Sequence, residues 1–367
     1  MRRLFLRTGN ALATLSVAAL LAVSAQAQVT PAAGVTPPDD TPSFKVGGTI
    51  FADYTYIDTP EITDANGNLV HSSSFNVARA YINVTGQVNH LVSFRITPDV
   101  ARETGTGSSL TGSQNFRLKY AYAQLNLDDW TTKGSWIRVG AQQTPLVDYE
   151  EQIYRYRFQG TIFVDRESFI GSSDVGVSGH WNIPNGYGDL HGGFYNGEGY
   201  NKAETNNKKA FMIRGSIRPL PLGGIWKGLR LTAFVDEDRP VDGGKRNRIV
   251  GQFTFEHPLV NAGFDWLDAK DKATIKTAEV SASGWTAWAT PKLPNNFELL
   301  LRHDSLKPNK NTEQKRDRNI FGVSYWLPAP KGTAAAVMLD YDSVKQKNFT
   351  PSRPDDTRYG VKVLLNF

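Results

Sequence analysis

The 367-residue chain carries 41 Lys and Arg against 36 Asp and Glu, a formal net charge of +5, with 33 glycines, 19 prolines and no cysteine. Without cysteine there are no disulfide staples or thiolate metal sites, and so small a charge excess does not call for nucleic acid as a partner. After the opening segment no stretch reaches the roughly 18 to 20 apolar residues of a spanning helix, so a chain that lives in a membrane must cross it as a closed sheet.

The first element is Arg2, Arg3 and Arg7, an apolar run from Leu12 to Val23, and the small-residue sequence Ala25-Gln26-Ala27. This predicts a secretory signal peptide over residues 1–27, because the apolar run is too short to anchor as a helix. Losing its three arginines lowers the net charge to +2. Residues 28–43, rich in Pro, Thr and Ala, predict a short flexible periplasmic leader, and 44–367 the folded body.

From residue 44 onward the hydrophobic period is two. Phe44, Val46, Ile50, Ala52, Tyr54 and Tyr56 alternate with Lys45, Thr49, Asp53 and Thr55. Ala78, Ala80, Ile82 and Val84 then alternate with Arg79, Tyr81, Asn83 and Thr85, and Val92, Phe94 and Ile96 with Ser93, Arg95 and Thr97. The pattern predicts strands at 44–58, 74–88, 91–100, 115–127, 135–144, 174–183, 190–197, 210–218, 229–237, 247–256, 260–270, 276–290, 297–306, 319–327, 334–344 and 357–367, about sixteen in all. The last one alternates Tyr359, Val361, Val363, Leu365 and Phe367 with polar and small neighbours, as closing strands of bacterial outer-membrane barrels do, where the terminal Phe addresses the chain to the barrel assembly machinery.

Apolar faces that mix glycine, alanine and aromatics, with connections short at one end and long at the other, argue against a soluble sandwich. The fold class expected is all-β, a transmembrane antiparallel up-and-down barrel of about 16 strands. Short links such as Asn89-His90 and 257–259 fall at the periplasmic end, and longer polar ones, 59–73, 101–114, 307–318 and 345–356, at the external end. Sixteen strands enclose more width than side chains fill, which leaves an aqueous channel. The longest connection, 145–173, follows the fifth strand; as a long third external loop folded into the lumen it would form a constriction.

Projected onto the water-facing side, Lys45, Arg79, Arg95, Arg138, Arg214, Arg218, Arg230, Arg248, Arg302, Arg358 and Lys362 stand against Asp53, Asp99, Asp265, Glu298 and Asp304, about two to one. Such a lumen concentrates anions, and guanidinium offers paired donors to phosphate or carboxylate oxygens. The long loop adds Arg155 and Arg157, alternating with Tyr154, Tyr156 and Phe158, and Arg166. Its Asp148, Glu150, Glu151, Asp165 and Glu167 make it net acidic and able to neutralise these arginines. The pore-lining or constriction set is therefore Arg79, Arg95, Arg138, Arg155, Arg157, Arg166, Arg214, Arg230 and Arg302.

The run from Phe75 to Gly86, continued by Val92 to Asp99, resembles the second hairpin of the phosphate-selective porin O and P family. Leu118 to Ala123, Arg138 to Pro145, Glu150 and Asp165-Arg166 resemble it too. The resemblance implies a sixteen-stranded, usually trimeric bacterial outer-membrane porin with a cationic path for phosphate or other anions, and it carries over onto Arg79, Arg95, Arg138 and Arg166. Residues 145–173 contain no lysine, which departs from the lysine-rich path of phosphate-specialised members. The partners expected are small inorganic or organic anions, outer-membrane lipid and lipopolysaccharide, the assembly machinery and two further copies of the chain; no cofactor is expected. The alternatives are a general or cation-tuned porin, and a barrel enzyme. Against the enzyme, His71, His90, His180, His191, His257 and His303 sit in no nucleophile motif, and adjacent His303 and Asp304 fall on opposite faces of a strand.

Overall fold

In the computed structural model, which describes residues 40–103, 107 and 109–367, sixteen strands close into one antiparallel barrel. The first half comprises β1 (Ser43–Thr63), β2 (Leu69–Gln87), β3 (Val92–Arg102), β4 (Gln114–Asn126), β5 (Trp136–Gln143), β6 (Ser173–Ile183), β7 (Gly188–Tyr195) and β8 (Ala210–Ile217). The second comprises β9 (Leu229–Asp238), β10 (Lys245–His257), β11 (Val260–Lys272), β12 (Val280–Pro291), β13 (Phe297–Lys307), β14 (Lys315–Leu327), β15 (Ala334–Lys347) and β16 (Asp356–Asn366). The expected signal peptide and residues 28–39 of the expected leader lie outside the described residues.

Each strand pairs with its sequence neighbours, and β1 closes on β16 through Thr49–Asn366, Asp53–Lys362 and Thr55–Gly360. The alternation has the sense that a bilayer requires. Phe75, Phe116 and Leu339 stand 84, 70 and 63% exposed on the outer wall, the reverse of a soluble sandwich. Outer rings also pair across strands, as in Tyr54–Phe75, Phe297–Tyr325 and Tyr341–Tyr359. At the seam Gly48 and Phe367 exchange backbone hydrogen bonds of 2.8 and 2.9 Å. A Cβ on Gly48 would lie 2.5 Å from the Phe367 ring, so glycine here makes room for the closing residue.

The strands run further into the longer connections than hydrophobic periodicity indicates. The expected 59–73 connection shrinks to a turn at 64–68, where Asp64 Oδ1 accepts the backbone N–H of Asn66 and of Asn68, both at 2.8 Å. β14 likewise begins at Lys315, not 319. Beyond the apolar belt both faces of a strand meet water, so the ladder continues while the period-two signal fades. At the turn end most links stay short, although 127–135 and 218–228 do not; the loop end carries the longest, 144–172 and 196–209.

Candidate functional site

β5 is only eight residues long, so the chain leaves the wall part-way up and returns at Ser173. Between these points the loop forms helix α1 (Val147–Tyr154), ended by Arg155 at φ 66°, and one turn, α2 (Phe163–Arg166). Its neck is clasped by Thr144 Oγ1, which donates to Gly171 O at 2.6 Å. From there the loop reaches strands that only an inner path can connect to β5. Tyr149 OH meets Ser216 of β8 at 2.6 Å, Asn261 Nδ2 of β11 donates to Ile153 O at 3.0 Å, and Arg302 Nη1 of β13 donates to Thr161 O at 2.9 Å. Gln159 Nε2 reaches Asp340 of β15 at 3.2 Å. The loop therefore crosses the lumen.

The force that seats it is apolar. Val147, Ile153, Tyr154, Tyr156, Phe158, Ile162, Phe163 and Val164 of the loop are buried with Phe234, Val250, Leu267, Trp288, Leu300, Ile320 and Met338 of the inner wall. The main hydrophobic cluster of the molecule thus lies inside the barrel, on the β8–β16 side. Buried at the same contact, Glu150 is held well above its ordinary carboxyl value by burial and by the neighbouring Asp265 carboxyl.

Open space remains beside the loop: the largest cavity faces β2, β4, β6 and β8–β10, the middle one β14–β16, β1 and β2, and the smallest β1–β4. It consists of cavities of about 540, 410 and 220 Å³, and Arg157 lines all three. Its Nε lies 2.8 Å from Glu151 Oε1. Burial opposes the Arg157 charge, but Glu151 together with Tyr81, Asp165 and Tyr120 outweighs it and keeps the guanidinium above its ordinary value. Burial also raises the Glu151 carboxyl, which Arg157 and Lys119 offset only in part.

The nine expected arginines divide by position. Arg79 lines the two larger cavities with Nη1 3.0 Å from Asp99, Arg166 lines the middle one, and Arg95 the smallest. Arg95 donates to Thr97 and Asn83 at 2.9 Å and lies over the Tyr120 ring, while Arg138 sits over Trp136 and Tyr122. The others meet different surroundings. Arg214, 3% exposed, pairs with Asp189 and donates to Pro145 O at the neck. Arg302 chelates Asp304 at 2.7 and 2.8 Å beneath the loop, Arg155 packs on Trp326 beside Glu298, and Arg230 pairs with Glu256.

The two-to-one cation excess expected on the water-facing side is not present. Register puts Asp174, Asp189, Asp236, Asp238, Glu256, Asp271, Asp340, Asp342 and Asp356 on the inner face as well, with Arg117, Lys119, Arg246, Arg316 and Arg318. The face is near parity, sixteen cations against fourteen carboxylates. Five of these nine acids, Asp174, Asp236, Glu256, Asp340 and Asp342, lie within the strands expected from the sequence and beside apolar residues, and the other four lie at strand ends beyond them. Lys119 escaped projection because a bulge at Thr97/Pro98 lets consecutive Lys119 and Tyr120 both turn inward.

The model of the phosphate-selective porin O and P family matches residues 44–252. No curated protein sequence matches. Among solved structures, an anion-selective porin from Comamonas acidovorans superposes with TM-score 0.62 at 13% identity over 89% of this chain and 100% of its own. The outer membrane channel DcaP of Acinetobacter baumannii gives 0.59 at 12%, over 89% and 97%. OmpT of Vibrio cholerae, an outer membrane protein solved in a trimer form, gives 0.56 at 10%, over 89% and 100%. At such identities the likeness is one of fold.

Proposed function

The chain belongs to the phosphate-selective porin O and P family, so it is an outer-membrane porin, a water-filled channel for small solutes, and we propose that this channel favours anions, phosphate among them. The observation that carries the preference is local. Arg95, Lys119 and Arg138, side by side on β3–β5, have no carboxylate among their ion-pair partners in the described residues, and Arg157 stands over the first two. Elsewhere on the inner face arginines and acids are paired and largely cancel. The near parity of the whole face favours a second reading, a weakly selective general porin. A cation excess confined to the narrow part raises local anion concentration without a strong overall field.

Of the nine expected arginines, Arg79, Arg95, Arg138, Arg157 and Arg166 would act on the solute, and Arg155, Arg214, Arg230 and Arg302 would hold the loop and wall. Short links at the turn end support placing it in the periplasm. Cleavage after Ala27, trimer assembly and recognition of the Phe367 strand by the assembly machinery belong to the same proposal. So does the absence of catalysis. His191 Nε2 comes within 3.3 Å of Ser178 Oγ, but that hydroxyl is buried and donates to Gln142 at 2.6 Å, so it has neither a free proton to yield nor room for a substrate. His303 faces outward against Asn319 and Trp285, away from Asp304.

The test is the reversal potential of the purified porin in planar bilayers under a chloride salt gradient. An anion preference is expected, reduced about fivefold by Arg157→Gln, the scale of about 1 kcal/mol for a unit charge at 4 Å in water. A cation preference in the unmodified channel would sink the reading.

A further inference from the structure

The smallest cavity, about 220 Å³, lies at the narrow part between β1–β4 and helix α1. Its polar groups are unequal. Asp148 accepts from Tyr120 OH at 2.9 Å, Glu151 is engaged by Arg157 and Thr161, and Arg95 is committed to Asn83 and Thr97. Lys119 is different. Only 5% exposed, its ammonium has no hydrogen-bond acceptor among the described residues and rests over the Tyr81 and Tyr120 rings, 5.0 and 5.1 Å from their centroids. A buried ammonium without an acceptor demands an anion or water at that point.

Of the rest of the wall, Phe51, Tyr81 and Tyr120 are aromatic and Thr49, Asn83 and Gln152 polar. Phe51 meets Tyr81 edge to face at 6.0 Å, and two bulges, at Phe51/Ala52 and at Thr97/Pro98, aim this wall and Lys119 at the same space. Three cations, Arg95, Lys119 and Arg157, oppose two carboxylates, Asp148 and Glu151, which leaves one positive charge. A doubly charged, fully hydrated ion would overcompensate that charge and gain nothing from the rings. A singly charged acid with a planar apolar body matches both, and a cavity below the about 300 to 1,000 Å³ of drug-sized sites limits that body to one ring.

We propose that this cavity is a binding station for single-ring aromatic monocarboxylates, the carboxylate on Lys119 and the ring against Phe51 and Tyr81. The inference rests on the channel reading above, since the station is reached only through the lumen. It adds a substrate class that the surplus of cations alone does not imply.

The experiment is block of chloride current through the full-length porin in planar bilayers at neutral pH by benzoate, acetate and inorganic phosphate. Benzoate should block at the lowest concentration. Lys119→Met should weaken block by benzoate and by acetate at least about tenfold, the usual scale for a lost charge-assisted hydrogen bond, and Lys119→Arg should restore part of it. Tyr81→Leu, which keeps every charge, should remove the advantage of benzoate over acetate alone. Equal block by benzoate and acetate, tighter block by phosphate, or benzoate block unaltered by Lys119→Met overturns the station while the current itself still establishes the channel. Absence of any current would instead overturn the channel reading.

Discussion

Gly140 occupies the middle of β5 at φ 123°, a region that L side chains rarely adopt, and a Cβ there would lie 2.3 Å from Ala121 O and 3.0 Å from Tyr122 Cα. Both neighbours are backbone, so neither can swing aside. Gly140→Ala should destabilise the barrel by about 1–3 kcal/mol, seen as a lower temperature for the mobility shift of the folded form on SDS gels; an unchanged transition would show that β5 has more freedom than this register allows. Single residues are also where reading from the sequence succeeds least evenly. Arg79, Arg95 and Arg138 fall on the inner face by simple alternation, as expected. Lys119 does not, because a bulge breaks the parity of its strand. Whether an inward arginine meets solute or a carboxylate depends on partners far away in the chain, as for Arg316 and Glu167, 149 positions apart, and no local pattern encodes that.

At the scale of elements the inserted loop carries the most consequence, and its seat includes a buried carboxyl pair. Glu150 of α1, 1% exposed, has the Asp265 carboxyl as its neighbour, and burial followed by that neighbour raises its ionisation well above an ordinary carboxyl. A carboxyl whose folded value exceeds its unfolded one binds its proton more tightly in the folded state. The stability it lends is complete below the unfolded value and is lost as pH rises through the folded one. The thermal transition should therefore fall as pH rises above about 5, and Glu150→Gln, which keeps a donor toward Asp265, should flatten that dependence; an equal slope in both proteins would remove the pair from the account. The position and length of this loop were legible in the sequence, being the longest connection and following the fifth strand. Its seat was not. Phe234, Val250, Leu267, Leu300 and Ile320 look like interruptions in a polar inner face until the loop that covers them is in place.

For the molecule as a whole, strand number and the sense of alternation follow from a bilayer outside and water inside, two demands that leave a periodic mark in the chain. In the proposed reading selectivity rests on a few groups at one level, among them Glu151. It accepts from Thr161 at 2.9 Å and lies 2.8 Å from Arg157, the one residue that lines all three described cavities. Burial raises its carboxyl despite the opposing pull of Arg157 and Lys119. As pH falls from neutral into the acid range, Glu151 takes up a proton ahead of exposed carboxylates and the narrow part gains one unit of positive charge. The chloride-to-potassium permeability ratio should rise over that interval, by about the fivefold that about 1 kcal/mol represents. Glu151→Gln should show the acid-side ratio at neutral pH and no step on acidification. If the step survives that substitution, the titrating group lies elsewhere on the inner face; if the unmodified channel shows none, Glu151 stays ionised throughout and Arg157 is neutralised at every working pH.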